Sequence, residues 1–290
     1  MTLSEWQERL ERHFESLAQL REGSGFPVFA LEHDLSDEEV EEIRSLLRSY
    51  LTKELPIRRY WLLWAIYAAE CGYSYDGAEY WVSFGESLPE WTVRDRDELR
   101  TCFRKFQRTY DGVLPSGPWA SHFNIIAWPV THAILPRYLQ RQFAKLLYEL
   151  RFHLIRLSAL EPAMVGRLLA ANASDTPMRF QQFLEQEELT GRIVLGLLGA
   201  TPAEGKEPIY EQTLRRIVAD LEEIRGARAW LRDTRQVVTE FKGIGRGTGH
   251  AGEQTPYARR PGTAATDMGQ MSVAENCKCP ICVNRKCPTL

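Results

Sequence analysis

The densest chemistry in this chain of 290 residues lies near its C-terminus. Cys277, Cys279, Cys282 and Cys287 are spaced C-x-C-x2-C-x4-C. Zinc takes four thiolate or imidazole ligands in a tetrahedron. The turn Cys279-Pro-Ile-Cys282 can aim two sulfurs at one ion, and Cys277 and Cys287 stand near enough in sequence to complete the set. Clustered thiols in a reducing compartment more often hold metal than form disulfides. The expectation is a small C-terminal four-cysteine zinc knuckle, with zinc as the cofactor.

Three weaker sets accompany it. His122, His132 and His153, with Cys71 and Glu79 upstream, supply groups used in nucleophilic or acid–base catalysis. No nucleophile elbow, HExxH or phosphate loop accompanies them, so the reading leans away from an enzyme and assigns no catalytic residue. Aromatic residues crowd positions 60–91 and recur at Trp119 and Trp128, interleaved with Arg58, Arg59, Arg94 and Arg96. Such a pattern stacks on bases in some proteins and builds a core in most. Alternate glycines from Gly243 to Gly249 lack the flanking strand and helix of a phosphate loop and read as linker.

From position 243 on, Arg246, Arg259, Arg260, Lys278, Arg285 and Lys286 face only Glu253, Asp267 and Glu275. The tail is therefore +3 and the remainder −6 within a net charge of −3. Those six cations are the candidate nucleic-acid contacts, through weak, salt-sensitive phosphate binding. The fragment CKCPIC (277–282) is similar to the opening of the zinc motif of tRNA-guanine transglycosylases. That family's strand–helix alternation is not present in this sequence, so no activity is carried over from six residues.

The elements that must position these groups read as helices. Leu3, Trp6, Leu10, Phe14, Leu17 and Leu20 mark one helical face. Ser36 and Glu39 form a capping box that starts a second helix. A third, about 58–71, is apolar all round, with Gly72 as its stop, and residues 73–92 read as irregular. A fourth spans about 96–110. Pro129 should kink or split a helix, and Pro136 suits the first turn of the next. Helices follow at about 162–171, 177–187, 189–198 and 208–241, the last with Gly226 as a possible interruption. Phe26–Leu31 suits a short extended segment.

These readings give an all-α protein, a multi-helix bundle or HEAT-like stack over 1–241. A glycine-rich linker (242–276) and the cysteine tail (277–290) follow. Cys71 and Cys102 fall in apolar helical patterns and are expected to be buried. No stretch has the length and apolarity of a bilayer span, and the N-terminus has no apolar signal region. The expected location is the cytoplasm, with no membrane partner.

The blocks GAEYWVSFG (77–85), AWPVTHAILPRYLQRQFAKLLY (127–148) and FQQFLEQEELTGRIVLGLL (180–198) resemble helical regions of uncharacterised bacterial proteins from anti-phage defence islands. The resemblance covers roughly residues 57–240 and implies a helical subunit of a defence assembly. The function expected is a non-enzymatic interaction or scaffold protein with a protein partner. The alternative is a nucleic-acid binder working through the basic, zinc-stabilised tail.

Overall fold

The first helix, α1 (Leu3–Arg21), begins where Thr2 and Glu5 cap one another's backbone N–H groups. It buries Trp6, Leu10, Phe14 and Leu17 along one face. Helix α2 (Asp37–Leu51) begins on the predicted Ser36–Glu39 capping box. A short 3-10 turn, Ile57–Tyr60, leads into α3 (Trp61–Ser74), which is buried on nearly every side. This description comes from a computed structural model covering residues 1–53, 56–77, 79–92, 95–155, 161–199 and 207–244.

Gly72 does not end α3. The helix runs through it to Ser74, and the glycine serves a close approach instead. A Cβ at position 72 would stand 2.6 Å from the Pro129 carbonyl oxygen. Residues 73–92 are not irregular throughout either. They contain α4 (Tyr80–Ser87), whose Tyr80 and Phe84, with Leu88 beyond, are buried at four-residue spacing. The surrounding aromatic residues hide that period in the sequence.

Helices α5 (Asp95–Tyr110), α6 (Gly117–His122), α7 (Ala127–His132) and α8 (Arg137–Ile155) follow. The helical pattern breaks at residues 123–126, ahead of Pro129, and not at the proline itself as expected. Pro129 sits in the first turn of α7, where a backbone N–H has no intrahelical acceptor to lose. Beyond come α9 (Pro162–Ala171), α10 (Met178–Leu184), α11 (Glu187–Leu197), α12 (Glu211–Glu223) and α13 (Arg228–Ile244). The long C-terminal helix is thus two, divided at Gly226, whose φ is +87°.

Among the described residues the fold is all-α, with one isolated parallel bridge between Val28 and Gly112. Several of the closest packings join helices well apart in sequence, α8 with α13 and α3 with α7. A repeat stack joins only neighbours, so the bundle alternative describes the molecule. Helices α9 and α11 cross most tightly. A Cβ on Gly166 would lie 2.0 Å from the Glu187 oxygen, and one on Gly191 1.8 Å from the Pro162 oxygen.

Two apolar cores result. One is aromatic and draws on α1 to α5 and part of α7, with Trp6, Phe14, Trp64, Phe84, Phe103 and Phe106 sealed inside. The other is largely aliphatic and is built by α8 to α13. The extended segment after α1 runs between them. Val28 and Ala30 enter the aromatic core, while Phe29 and Leu31 enter the aliphatic one. That is the period-two alternation of an extended chain, as the sequence of residues 26–31 suggests.

Candidate functional site

Several of the buried polar side chains lie along the seam between the two cores. Arg21, at the end of α1, forms a fork-to-fork pair with Glu32. Its Nη1 donates to Oε2 at 2.7 Å and its Nη2 to Oε1 at 2.5 Å. Both groups make further hydrogen bonds. Arg21 also donates to the Pro27 and Glu207 carbonyls. Glu32 accepts the Phe29 N–H at 2.8 Å and the Tyr210 N–H at 2.6 Å. Glu207 and Tyr210 precede α12, so this pair fastens the segment after α1 to the segment before α12. Glu32's carbonyl takes a 2.7 Å hydrogen bond with His13 Nε2.

A second cluster sits further along. Glu70, the one carboxylate of α3, meets His33 Nε2 at 2.7 Å and accepts two hydrogen bonds from Arg216 of α12, at 2.5 and 2.8 Å. Burial alone would raise the Glu70 pKa. The bonds from Arg216 and then His33 outweigh it and hold the carboxyl at about 2. The same contact with Glu70 raises the Arg216 guanidinium against its own desolvation. Arg216 lies over the Tyr73 ring, 4.7 Å from its centroid. Tyr73 donates its hydroxyl to Asp220 at 2.5 Å and accepts from Gln140 at 3.0 Å. Desolvation, reinforced by Asp220, raises the Tyr73 pKa far above that of a free phenol.

No protein-family model, curated protein or solved structure matches this chain. Its chemistry must therefore be read from these contacts. Both oxygens of Glu70 are occupied and the group is ionised at any ordinary pH, so it is a clamp and not a general base. Among the described residues, no group of three or more His, Cys, Asp or Glu is placed to hold a metal ion. No helix there is long and apolar enough to cross a membrane.

The predicted histidine set does not come together. His132 is sealed in the core, where its Nδ1 accepts the Ala30 N–H at 3.1 Å and the rings of Phe103 and Phe106 pack at 4.8 and 5.2 Å. Burial pushes its pKa down to about 3, with the Val113 backbone opposing. Glu79, His122 and His153 are exposed on other elements. Cys71 is partly buried, and burial pushes its thiol up to about 12 against the pull of Tyr67. Cys102 is buried, with a thiol likewise pushed to about 12 by desolvation.

Most of the aromatic run is core: Trp61, Trp64, Tyr67, Tyr73 and Tyr80 are buried. Arg96 stacks over Trp81 and Arg59 over Tyr60. Arg58 reaches Glu98 at 3.5 Å, and Arg94 lies outside the described residues. So do the metal candidates Cys277, Cys279, Cys282 and Cys287, and the nucleic-acid candidates Arg246, Arg259, Arg260, Lys278, Arg285 and Lys286.

Sequence reading missed the seam. Its best signal was Glu70 itself, a lone carboxylate within the apolar run from Trp61 to Cys71. A charge there must be paired to be tolerated. Glu32 and His33, following the apolar segment Phe26–Leu31, carry the same hint. The partners Arg21 and Arg216 carry none, because sequence spacing announces neither a contact across 11 residues and a chain reversal nor one across 146.

Proposed function

We propose that the helical body is a non-enzymatic interaction module, a scaffold that holds a protein partner. The observation that carries this is an apolar surface where α6 meets α10. Leu114, Phe123 and Met178 are 57%, 41% and 55% exposed there. Phe123 meets Trp119 at 5.5 Å, Arg179, next to Met178, lies over the same Trp119, and Gln182 bonds to the Ser116 carbonyl two residues from Leu114. Neighbouring large apolar side chains left in water mark a contact surface more often than chance placement. The rival reading, catalysis by His132 with Glu79 or Cys71, is dropped because the imidazole is sealed and Glu79 faces solvent.

The test is affinity purification from the native cell with the wild-type chain and a Phe123→Glu, Met178→Glu variant. A protein recovered in stoichiometric amount with the wild type, and lost from a variant of unchanged circular dichroism, is the expected result. Equal recovery by both would end this reading. The resemblance of residues 57–240 to defence-island proteins supports placing that partner in an anti-phage assembly, which a plaque assay on cells lacking the chain examines.

The cysteine tail is read as a structural zinc site on its ligand set and spacing. Metal analysis of the whole chain beside a Cys279→Ser, Cys282→Ser variant should give one zinc in the first and none in the second. A wild-type chain without zinc, after purification free of chelator, would remove the knuckle.

A further inference from the structure

Helices α8 and α13 run side by side in the same direction. The Gly226 backbone lies beside Arg141, where a Cβ would stand 4.0 Å from Nη2. Further along, the Trp230 ring stacks on Tyr148 at 6.2 Å, and Leu147 and Leu231 line one small cavity. The two N-termini therefore lie at the same end.

A helix N-terminus carries partial positive charge and is normally offset by an acidic first turn. In this protein α2 opens with Asp37, Glu38 and Glu39, and α5 with Asp95, Asp97 and Glu98. Neither α8 nor α13 has an acidic residue in its first turn, an absence they share with α3, α4, α6, α7, α9 and α10; what sets them apart is the two arginines placed at the start of each. Arg137 and Arg141 stand at the start of α8, and Arg225 and Arg228 at the start of α13. That placement works against helix stability, so stability does not explain it. Among the described residues, the ion pairs leave Arg141, Arg225 and Arg228 without a carboxylate. Arg137 has only Asp220 at 3.9 Å, a group already engaged with Tyr73. Of the two carboxylates that close α12, Glu222 pairs with Arg235 and Glu223 is exposed.

The cations continue into aromatics. Arg137, Arg141 and Lys145 follow one line of α8 in steps of about 6 Å, and Tyr148 and Phe152 extend it. Lys145 is tied only to Glu149, at 3.6 Å, with both side chains more than half exposed. Phe152 is 52% exposed, and Arg151 lies 3.9 Å from the Tyr148 centroid and 4.4 Å from that of Phe152. Tyr148 is covered by Trp230 and Arg151, so the exposed ring is that of Phe152. A row of cations leading to an exposed ring suits a strand with phosphates on one side and unpaired bases on the other.

We propose that the α8–α13 face binds single-stranded nucleic acid, with phosphates on Arg137, Arg141, Lys145 and Arg228 and a base against Phe152. None of these residues is one of the tail cations or part of the apolar area at α6 and α10. A backbone that pairs with cations on an otherwise acidic body is held locally and is strongly salt-sensitive.

The experiment is fluorescence anisotropy of labelled oligo-dT and oligo-rU with the full chain, at low and at near-physiological salt. Arg137→Gln, Arg141→Gln, Arg228→Gln together should weaken binding about tenfold or more and flatten the salt dependence by roughly one power for each phosphate-binding cation removed. Phe152→Ala should weaken it about tenfold while leaving the salt dependence unchanged. Arg104→Gln, Arg108→Gln on α5 is the charge-altering control and should bind as the wild type does. The proposal is overturned by no binding at low salt, by equal weakening in the α5 control, or by weakening only when Arg259 and Arg260 are changed. Duplex DNA competing as well as the single strand would also overturn it.

Discussion

Arg21 and Glu32 meet where neither reaches water, with side chains 4% and 0% exposed, whereas Arg216 keeps 30% of its surface exposed as it meets Glu70. Both pairs span the seam between the aromatic and aliphatic cores, and both are bidentate. They differ in what happens when a partner is removed. A sealed charge left alone has no solvent to turn to, while a guanidinium at the edge can rehydrate. Buried ion pairs roughly break even against apolar packing, yet are costly to break from one side. The seam is therefore better understood as fixing how the two cores meet than as adding net stability.

The largest effect is expected at the sealed pair. Arg21→Met leaves the Glu32 carboxylate in the core with only two backbone N–H groups to face it. A loss of about 3–5 kcal/mol is expected in urea unfolding. At the open pair, Glu70→Gln keeps a hydrogen-bonding side chain and leaves Arg216 able to reach water. About 1–3 kcal/mol is expected there. If Glu70→Gln costs as much as Arg21→Met, exposure is not what separates the two clamps.

Acid sharpens the same contrast. The Glu70 carboxyl titrates at about 2 in the fold and near 4.5 when unfolded. The unfolded chain takes up the proton first as pH falls, so its contribution is complete above about 4.5 and is lost as pH falls through about 2. The stability gap between wild type and Glu70→Gln should close across that window. Comparing the two chains cancels the separate acid sensitivity of His132, which stays neutral in the fold down to about 3. A gap that stays constant to pH 2 would mean the pair contributes nothing electrostatic.

The helices were legible because their signals are local. The cap at Ser36 and the three-and-four spacing of α1 depend on residues one turn apart, and the start of α2 follows from the cap. Gly72 misled because its role is a close approach to Pro129, far along the chain, and spacing near 72 gives only its usual meaning as a stop. The seam was illegible for the same reason. Glu70 can be read as needing a partner, but Arg216 is one arginine among many, and only the fold selects it. The histidine set failed in the opposite sense. His132 has the right residue type for catalysis, and its burial follows from the aromatic neighbours Phe103, Phe106 and Trp128 that only packing brings around it.

The smallest effect asks whether the seam is one network or two. Tyr73→Phe removes the hydroxyl that joins Asp220 to Gln140, while Gln140 keeps its 3.1 Å bond to the Leu135 carbonyl. About 1 kcal/mol is expected. The informative quantity is its coupling to the other changes. Arg216 bonds to Glu70 and lies over the Tyr73 ring, so Tyr73→Phe and Glu70→Gln share a partner and should combine non-additively, by about 0.5 kcal/mol or more. Tyr73→Phe and Arg21→Met share none and should add. Additivity in both cycles would make Arg216 a bystander at Tyr73. Coupling in both would mean the sealed and open clamps respond as a single unit, and the difference in exposure between them would then have no separate consequence.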